Sequence, residues 1–128
     1  MPTVTAVKVV DASAFAALLF GEPEAEDVVR RLDGARLGAP GLLVFELANL
    51  CVVKCRRDPH QREALLAAFE LRHRLAIQEI AVAHAAVLEL ALATGLTAYD
   101  ASYLWLARQL GAELVTLDEK LQRAASVG

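Results

Sequence analysis

Short β-branched runs separated by pairs of helical segments constrain this chain more than any other feature. Val4–Val10, Arg36–Ala39, Leu75–Ile80 and Glu113–Leu117 have strand length and strand boundaries. Between them lie stretches with helical periodicity. These run from Ser13 to Leu19, from Pro23 to about Asp33-Gly34, from Leu42 to Arg57 before Asp58-Pro59, and from His60 to about Arg72. Three more cover Ala83–Thr94, Thr97–Leu110 and Asp118–Ala125, with Gly95 and Gly111 as C-caps of the first two. The order is β-α-α-β-α-α-β-α-α-β-α. Strands joined only through helices run parallel and carry helices on both faces. The expected fold is therefore α/β, three-layer α/β/α, with a small central parallel sheet of about four to five strands. A single domain is expected over residues 1–128.

Hydrophobic residues make up 56% of the chain, chiefly Ala, Leu and Val. The core should be aliphatic, with apolar surface left over for a partner or a second copy. A net charge of −3 excludes a protein that coats nucleic acid by bulk charge alone. Residues 54–74 are the exception, holding six basic and three acidic residues. Such a basic segment beside an acidic site suits a phosphate-bearing substrate, and it also suits a solvated helix pair. Cys51 and Cys55 lack the further ligands of a structural zinc site and read as reduced core or interface residues. With no secretory-signal pattern and no uncharged apolar run of about 18 residues, a cytoplasmic protein with no membrane segment is expected.

Four carboxylates interrupt apolar surroundings. Asp11 closes Val7–Val10, Asp118 follows Leu114–Leu117, Glu46 lies inside Leu42–Leu50, and Asp100 opens the Thr97–Leu110 helix. An ionised carboxylate in an apolar setting is costly unless a cation or hydrogen-bond donors compensate it. In open parallel sheets, sites form beyond the carboxyl ends of the strands. Asp11 and Asp118 are each the first polar residue after a strand, so if the two strands are parallel neighbours their carboxylates emerge on one rim. Each also has a plainer role as a helix cap, and Thr97-Ala98-Tyr99-Asp100 resembles a capping box. Glu46 lacks that alternative. Leu43, Leu47, Leu50 and Val53 surround its helix, which predicts a helix buried on all sides.

Ser13 and Thr116 lie two positions from Asp11 and Asp118, and Asn49 shares a helical face with Glu46, so these three are candidate supporting residues. Tyr103 and Trp105 read as core or contact residues. Lys54, Arg56 and Arg57 read by default as solvated surface; should the site act on a nucleic acid, they are the candidate cations for its phosphates.

Val9-Val10-Asp11-Ala12-Ser13, Glu46, Leu96-Thr97-Ala98-Tyr99-Asp100-Ala101-Ser102-Tyr103 and Leu114-Val115-Thr116-Leu117-Asp118 together resemble the PIN-domain ribonucleases, most closely VapC-type toxins of toxin–antitoxin pairs. The match spans essentially the whole chain. The resemblance implies a PIN-like fold, with Asp11, Glu46, Asp100 and Asp118 as catalytic residues holding Mg²⁺ or Mn²⁺. It also implies endonucleolytic cleavage of RNA, a homodimer, and a small cognate antitoxin. Lys120 stands where such proteins often carry a further acidic residue, a departure that bears on any second metal position.

The mechanism expected is hydrolysis with a metal-activated water attacking in line, leaving a 3′-hydroxyl and a 5′-phosphate. Acid phosphoryl-transfer domains on similar sheets fit less well. The haloacid-dehalogenase pattern wants an Asp where Ser13 stands, and a receiver domain wants one after Leu75–Ile80, where Ala81-Val82-Ala83 follows. The remaining alternative is a catalytically weak PIN-like domain that binds protein or RNA.

Overall fold

The computed structural model describes residues 6–127. Four strands, β1 (Val7–Val10), β2 (Arg36–Ala39), β3 (Ile77–Glu79) and β4 (Leu114–Val115), form one sheet in the order β3-β2-β1-β4. Every pairing is parallel: Val9 sits opposite Gly38 on one side and Leu114 on the other. Among the described residues, seven α-helices complete the three-layer architecture: α1 (Ala12–Leu19), α2 (Ala25–Leu32), α3 (Leu42–Arg57), α4 (Arg62–Glu70), α5 (His84–Thr94), α6 (Ala98–Leu110) and α7 (Glu119–Ser126). Helix α1 packs on α2 and α3, and α3 on α4; α5 packs on α6, which also meets α7 and β1.

The expected elements are all present, with adjusted ends. The part of the first strand expected at Val4 and Thr5 lies outside the described residues. The expected His60–Arg72 helix is split into a 3₁₀ turn at Pro59–Gln61, α4, and a second 3₁₀ turn at Leu71–Arg74. Gly95 and Gly111 cap α5 and α6 at φ of 76° and 58°, left-handed values that glycine adopts without a side-chain clash.

Val9 and Val10 are both fully buried although they point to opposite faces of β1. Only a strand covered on both sides needs consecutive apolar residues, which is why this run is unbroken rather than alternating. Phe15, Leu47, Tyr103, Leu104, Leu106 and Leu121 fill the layers around it. Burying side chains of this size stabilises the fold by about 1.5–3 kcal/mol each.

One expectation is overturned. Helix α3 is not buried all round: Leu43, Leu47 and Cys51 face the core, whereas Phe45, Val52 and Val53 are exposed. An apolar sequence on every face made the helix look central, but only one stripe has protein against it.

The strand order positions the site. The chain steps from β1 to β2 to β3 in one direction, then returns to add β4 on the far side of β1. The crevice left by that reversal opens at the carboxyl ends of β1 and β4. Asp11 and Asp118 lie just beyond those two ends.

Candidate active site

A cavity of about 470 Å³ lies beyond these strand ends, lined by Asp11, Ser13, Phe45, Glu46, Asn49, Tyr99, Asp100, Tyr103 and Asp118 among others. All four acidic residues singled out in the sequence meet there, each from a different element. A smaller cavity of about 280 Å³, lined by Phe15, Leu43, Leu47, Arg72 and Glu79, holds a single carboxylate.

Asp11 is buried, with 5% of its surface exposed. Its Oδ1 accepts hydrogen bonds from Ser13 Oγ at 2.7 Å and the Ala14 amide at 3.0 Å, and its Oδ2 accepts from Thr116 Oγ1 at 2.5 Å. The same two hydroxyls tie the ends of β1 and β4 together. Ser13 Oγ accepts from the Leu117 amide at 2.9 Å, and Thr116 Oγ1 accepts from the Asp118 amide at 3.0 Å. Ser13 and Thr116 thereby orient Asp11 and the turn that carries Asp118. The capping role is equally real. Asp11 caps α1, Asp118 Oδ1 caps α7 by accepting the Leu121 amide at 2.8 Å, and Thr97 caps α6 through the Asp100 amide. Capping and convergence coexist because a cap fixes its carboxylate at a helix start, and these three starts face one crevice.

Burial pushes the carboxyl groups of Asp11, Glu46 and Asp100 above the ordinary carboxylate range. Mutual repulsion adds to it: Asp118 acts on Asp11 and Asp100, Asp100 acts on Glu46, and Asp11 acts on both Glu46 and Asp100. The donors on Asp11 and the Tyr103 hydroxyl on Glu46 work in the opposite direction. Lys120 donates to the Gly95 carbonyl at 2.9 Å and also favours the charged form of Asp100. It places a cation beside the quartet where the family resemblance led one to expect another acid.

Two contacts escaped sequence reasoning. Tyr103 Oη donates to Glu46 Oε1 at 2.6 Å. Arg31, on α2, donates to the Thr116 carbonyl at 2.8 Å and to Gln122 Oε1 at 3.0 Å, bracing the turn before Asp118. The Tyr103 contact has a faint signal, six residues after the candidate Thr97 cap on the helix that carries Asp100; the Arg31 contact has none. Asn49 lines the cavity but is exposed and makes no side-chain hydrogen bond among the described residues.

The candidate cations diverge. Lys54 pairs with Glu22 at 2.7 Å and sits 5.3 Å from the centre of the Phe20 ring, so it is committed to holding α3 against the α1–α2 turn. Arg56 and Arg57 are exposed and form no ion pair among the described residues. Arg57 follows Glu46 by eleven residues, about three helical turns, which puts it on the same face roughly 16 Å along the axis. Cys51 and Cys55 are free thiols, and the buried Cys51 contacts the Leu65 carbonyl at 3.7 Å.

The donor set consists of oxygen alone, the chemistry of hard dications such as Mg²⁺ or Mn²⁺. A cluster that raises its own proton affinity by burial and repulsion is one that a dication would relieve. Among the described residues, no three acidic, His or Cys side chains stand close enough together to hold a metal ion as they are placed, so the four carboxylates share a cavity without forming a finished ligand set.

Residues 8–127 match the family model for the PIN domain, and the chain belongs to the PIN-domain family. Over 118 residues it is 35% identical to Ribonuclease VapC3 of Pyrobaculum aerophilum, covering 88% of this chain and 90% of that protein. Its fold superimposes on the crystal structure of PAE2754 from the same organism with a TM-score of 0.77, at 26% identity over 96% of this chain and 89% of that one. VapC20 of Mycobacterium tuberculosis, a toxin that cleaves the sarcin-ricin loop, shares the fold with a TM-score of 0.65, at 18% identity over 93% of this chain and 95% of that one.

Proposed function

We propose that this protein is a metal-dependent endoribonuclease, the toxin of a toxin–antitoxin pair. The observation that carries the reading is the convergence of Asp11, Glu46, Asp100 and Asp118 on one cavity in a PIN-domain fold. A relative 35% identical along most of both chains, itself a ribonuclease, supports the same substrate class.

Asp11, Glu46, Asp100 and Asp118 would hold Mg²⁺ or Mn²⁺. When bound, the dication supplies charge to seat the scissile phosphate and to activate water at neutral pH. The chain's own residues prepare that site. Ser13, Thr116 and the Ala14 amide hold Asp11 rigid and favour its ionised form, the only form able to act as a ligand. Tyr103 fixes Glu46, and the cap of α7 fixes Asp118. Arg57 continues the Glu46 face of α3 away from the carboxylates, with Arg56 to one side of it, where the phosphates of a bound strand can be met. No histidine lines the cavity, so a histidine pair of the ribonuclease A kind is absent from its walls.

Exposed apolar residues on α5, Leu88 and Leu92, stand four positions apart on one helical face. That stripe supports a homodimer or a bound antitoxin. Among the described residues, no helix is long and apolar enough to cross a membrane.

The test is cleavage of RNA with Mn²⁺ and with EDTA, comparing wild type with Asp11→Asn. Metal-dependent products carrying 5′-phosphates, lost in the variant, are expected. Activity that persists in EDTA, or products ending in 2′,3′-cyclic phosphate, would reject the mechanism. RNA binding with no cleavage under any metal would instead leave a binding module.

A further inference from the structure

We propose that Phe45 and Tyr99 form a nucleobase-stacking clamp at the mouth of the four-carboxylate cavity. The bases flanking a phosphate seated over the carboxylates would stack on these two rings. The inference deepens the ribonuclease reading and rests on it, because it needs a phosphate seated over the carboxylates.

Both rings line the cavity, yet Phe45 is 77% exposed and Tyr99 65% exposed. Neither contributes to the core, and the Tyr99 hydroxyl has no hydrogen-bond partner among the described residues. Each ring immediately precedes a member of the acidic quartet: Phe45-Glu46 on α3 and Tyr99-Asp100 on α6. Successive residues on a helix point about 100° apart. A helix that turns its carboxylate into the cavity therefore turns the preceding ring toward the rim. The same aromatic-acid pair occurs on two separate helices bordering one cavity. Anything whose charged centre rests on the quartet has both rings within reach.

Nucleobases fit that arrangement better than a protein partner does. Every base offers a π-face, so stacking on aromatic rings is tolerant of sequence. A base within a duplex is already covered on both faces, so only an unstacked one can use a protein ring. The exposed aliphatic residues Leu88 and Leu92 lie on α5 and do not line this cavity, although Leu88 shares a neighbouring one with Tyr99; the large exposed hydrophobic residues lining the carboxylate cavity are the two aromatic ones. The exposed Arg57 on the Glu46 face of α3 adds a positive charge along the line a strand would take.

The experiment uses the Asp11→Asn protein in Mn²⁺, so that RNA is bound without being consumed. The probe is a short single-stranded RNA carrying 2-aminopurine, with its duplex as the comparison. Adding Phe45→Ala or Tyr99→Ala should weaken single-strand binding about tenfold each, within the range of one lost stack. Both should also abolish the quenching of 2-aminopurine fluorescence. Phe45→Trp should restore both readouts, and Phe45→Leu, which keeps apolar bulk without a π-face, should not. Wild-type protein should cleave the single strand in preference to the duplex.

Unchanged affinity and quenching in both alanine variants overturn the clamp. So does equal rescue by Leu and Trp, which would mark a protein-docking surface. Both side chains are exposed, so unchanged melting temperatures are expected. A wild-type protein that binds and quenches the probe but cleaves no RNA would reject the hydrolytic reading. Active enzyme with indifferent Phe45 and Tyr99 variants would reject the clamp alone.

Discussion

Tyr103 reaches across from α6 to donate its phenolic hydrogen to Glu46 Oε1 on α3, 2.6 Å away. Tyr103 is buried and lines the cavity. This contact is the single side-chain hydrogen bond that Glu46 makes among the described residues, so one phenol sets the position of one carboxylate.

Tyr103→Phe removes that bond while leaving the packed ring in place. Losing a hydrogen bond to a charged group typically costs about 1.5–3 kcal/mol, here expressed as freedom of Glu46 more than as loss of fold. RNA cleavage should fall about tenfold or more, with the melting temperature little changed. Manganese affinity, measured by calorimetry, should weaken in parallel; a variant with intact metal affinity and activity would show that Glu46 needs no fixing.

The raised carboxyls of Asp11, Glu46 and Asp100 give the metal-free protein a definite pH response. Their folded-state values lie above their unfolded ones, so the fold holds these protons more tightly. Their contribution to stability is fully present below the ordinary carboxylate range and is lost as pH rises through the raised values. Asp100→Asn mimics the protonated form. In EDTA it should raise the melting temperature at pH 7.5 and make little difference at pH 4, and saturating Mn²⁺ should reverse its advantage at neutral pH. Thermal melts across that range test the sign directly.

Lys54 and its basic neighbours separate in function. Arg56→Ala with Arg57→Ala should weaken RNA binding and reduce the steepness of its salt dependence, because two phosphate contacts are removed. Lys54→Ala should leave the salt slope alone and lower the melting temperature, through loss of the Glu22 pair and the Phe20 contact. Fluorescence anisotropy over a salt series distinguishes the two outcomes.

Arg31 holds the turn that presents Asp118. Arg31→Ala leaves the Thr116 carbonyl and Gln122 without their donor. Destabilisation of about 1–3 kcal/mol is expected from the lost hydrogen bonds. Weaker manganese binding should accompany it, because Asp118 loses its brace; Arg31→Lys should recover part of each. Equilibrium unfolding in urea and metal titration read the two effects separately.

Much of this molecule could be read from the chain. The strand runs ending at Asp11 and Asp118 are legible because a doubly covered parallel strand needs consecutive apolar residues, and the first polar one marks the rim. Gly95, Gly111 and Pro59 punctuate helices by their own backbone restrictions. The meaning of α3 was misread for the converse reason. Leu43 and Val53 look alike in sequence, and only packing decides that one is core and the other surface. Lys54 was grouped with Arg56 and Arg57 because charge is visible in a sequence and its partner is not.

Local chemistry in the sequence determined the elements, their parallel arrangement and the four anomalous acids, since propensity, punctuation and burial cost act over a few residues. The tertiary structure alone decided that β4 returns beside β1, that Tyr103 meets Glu46 across 57 positions, that Arg31 braces a turn 85 residues away, and that two aromatic rings stand in solvent at the cavity mouth. Those outcomes depend on which distant surfaces are brought into contact, and hydrogen bonds and exposure exist only once that contact is made.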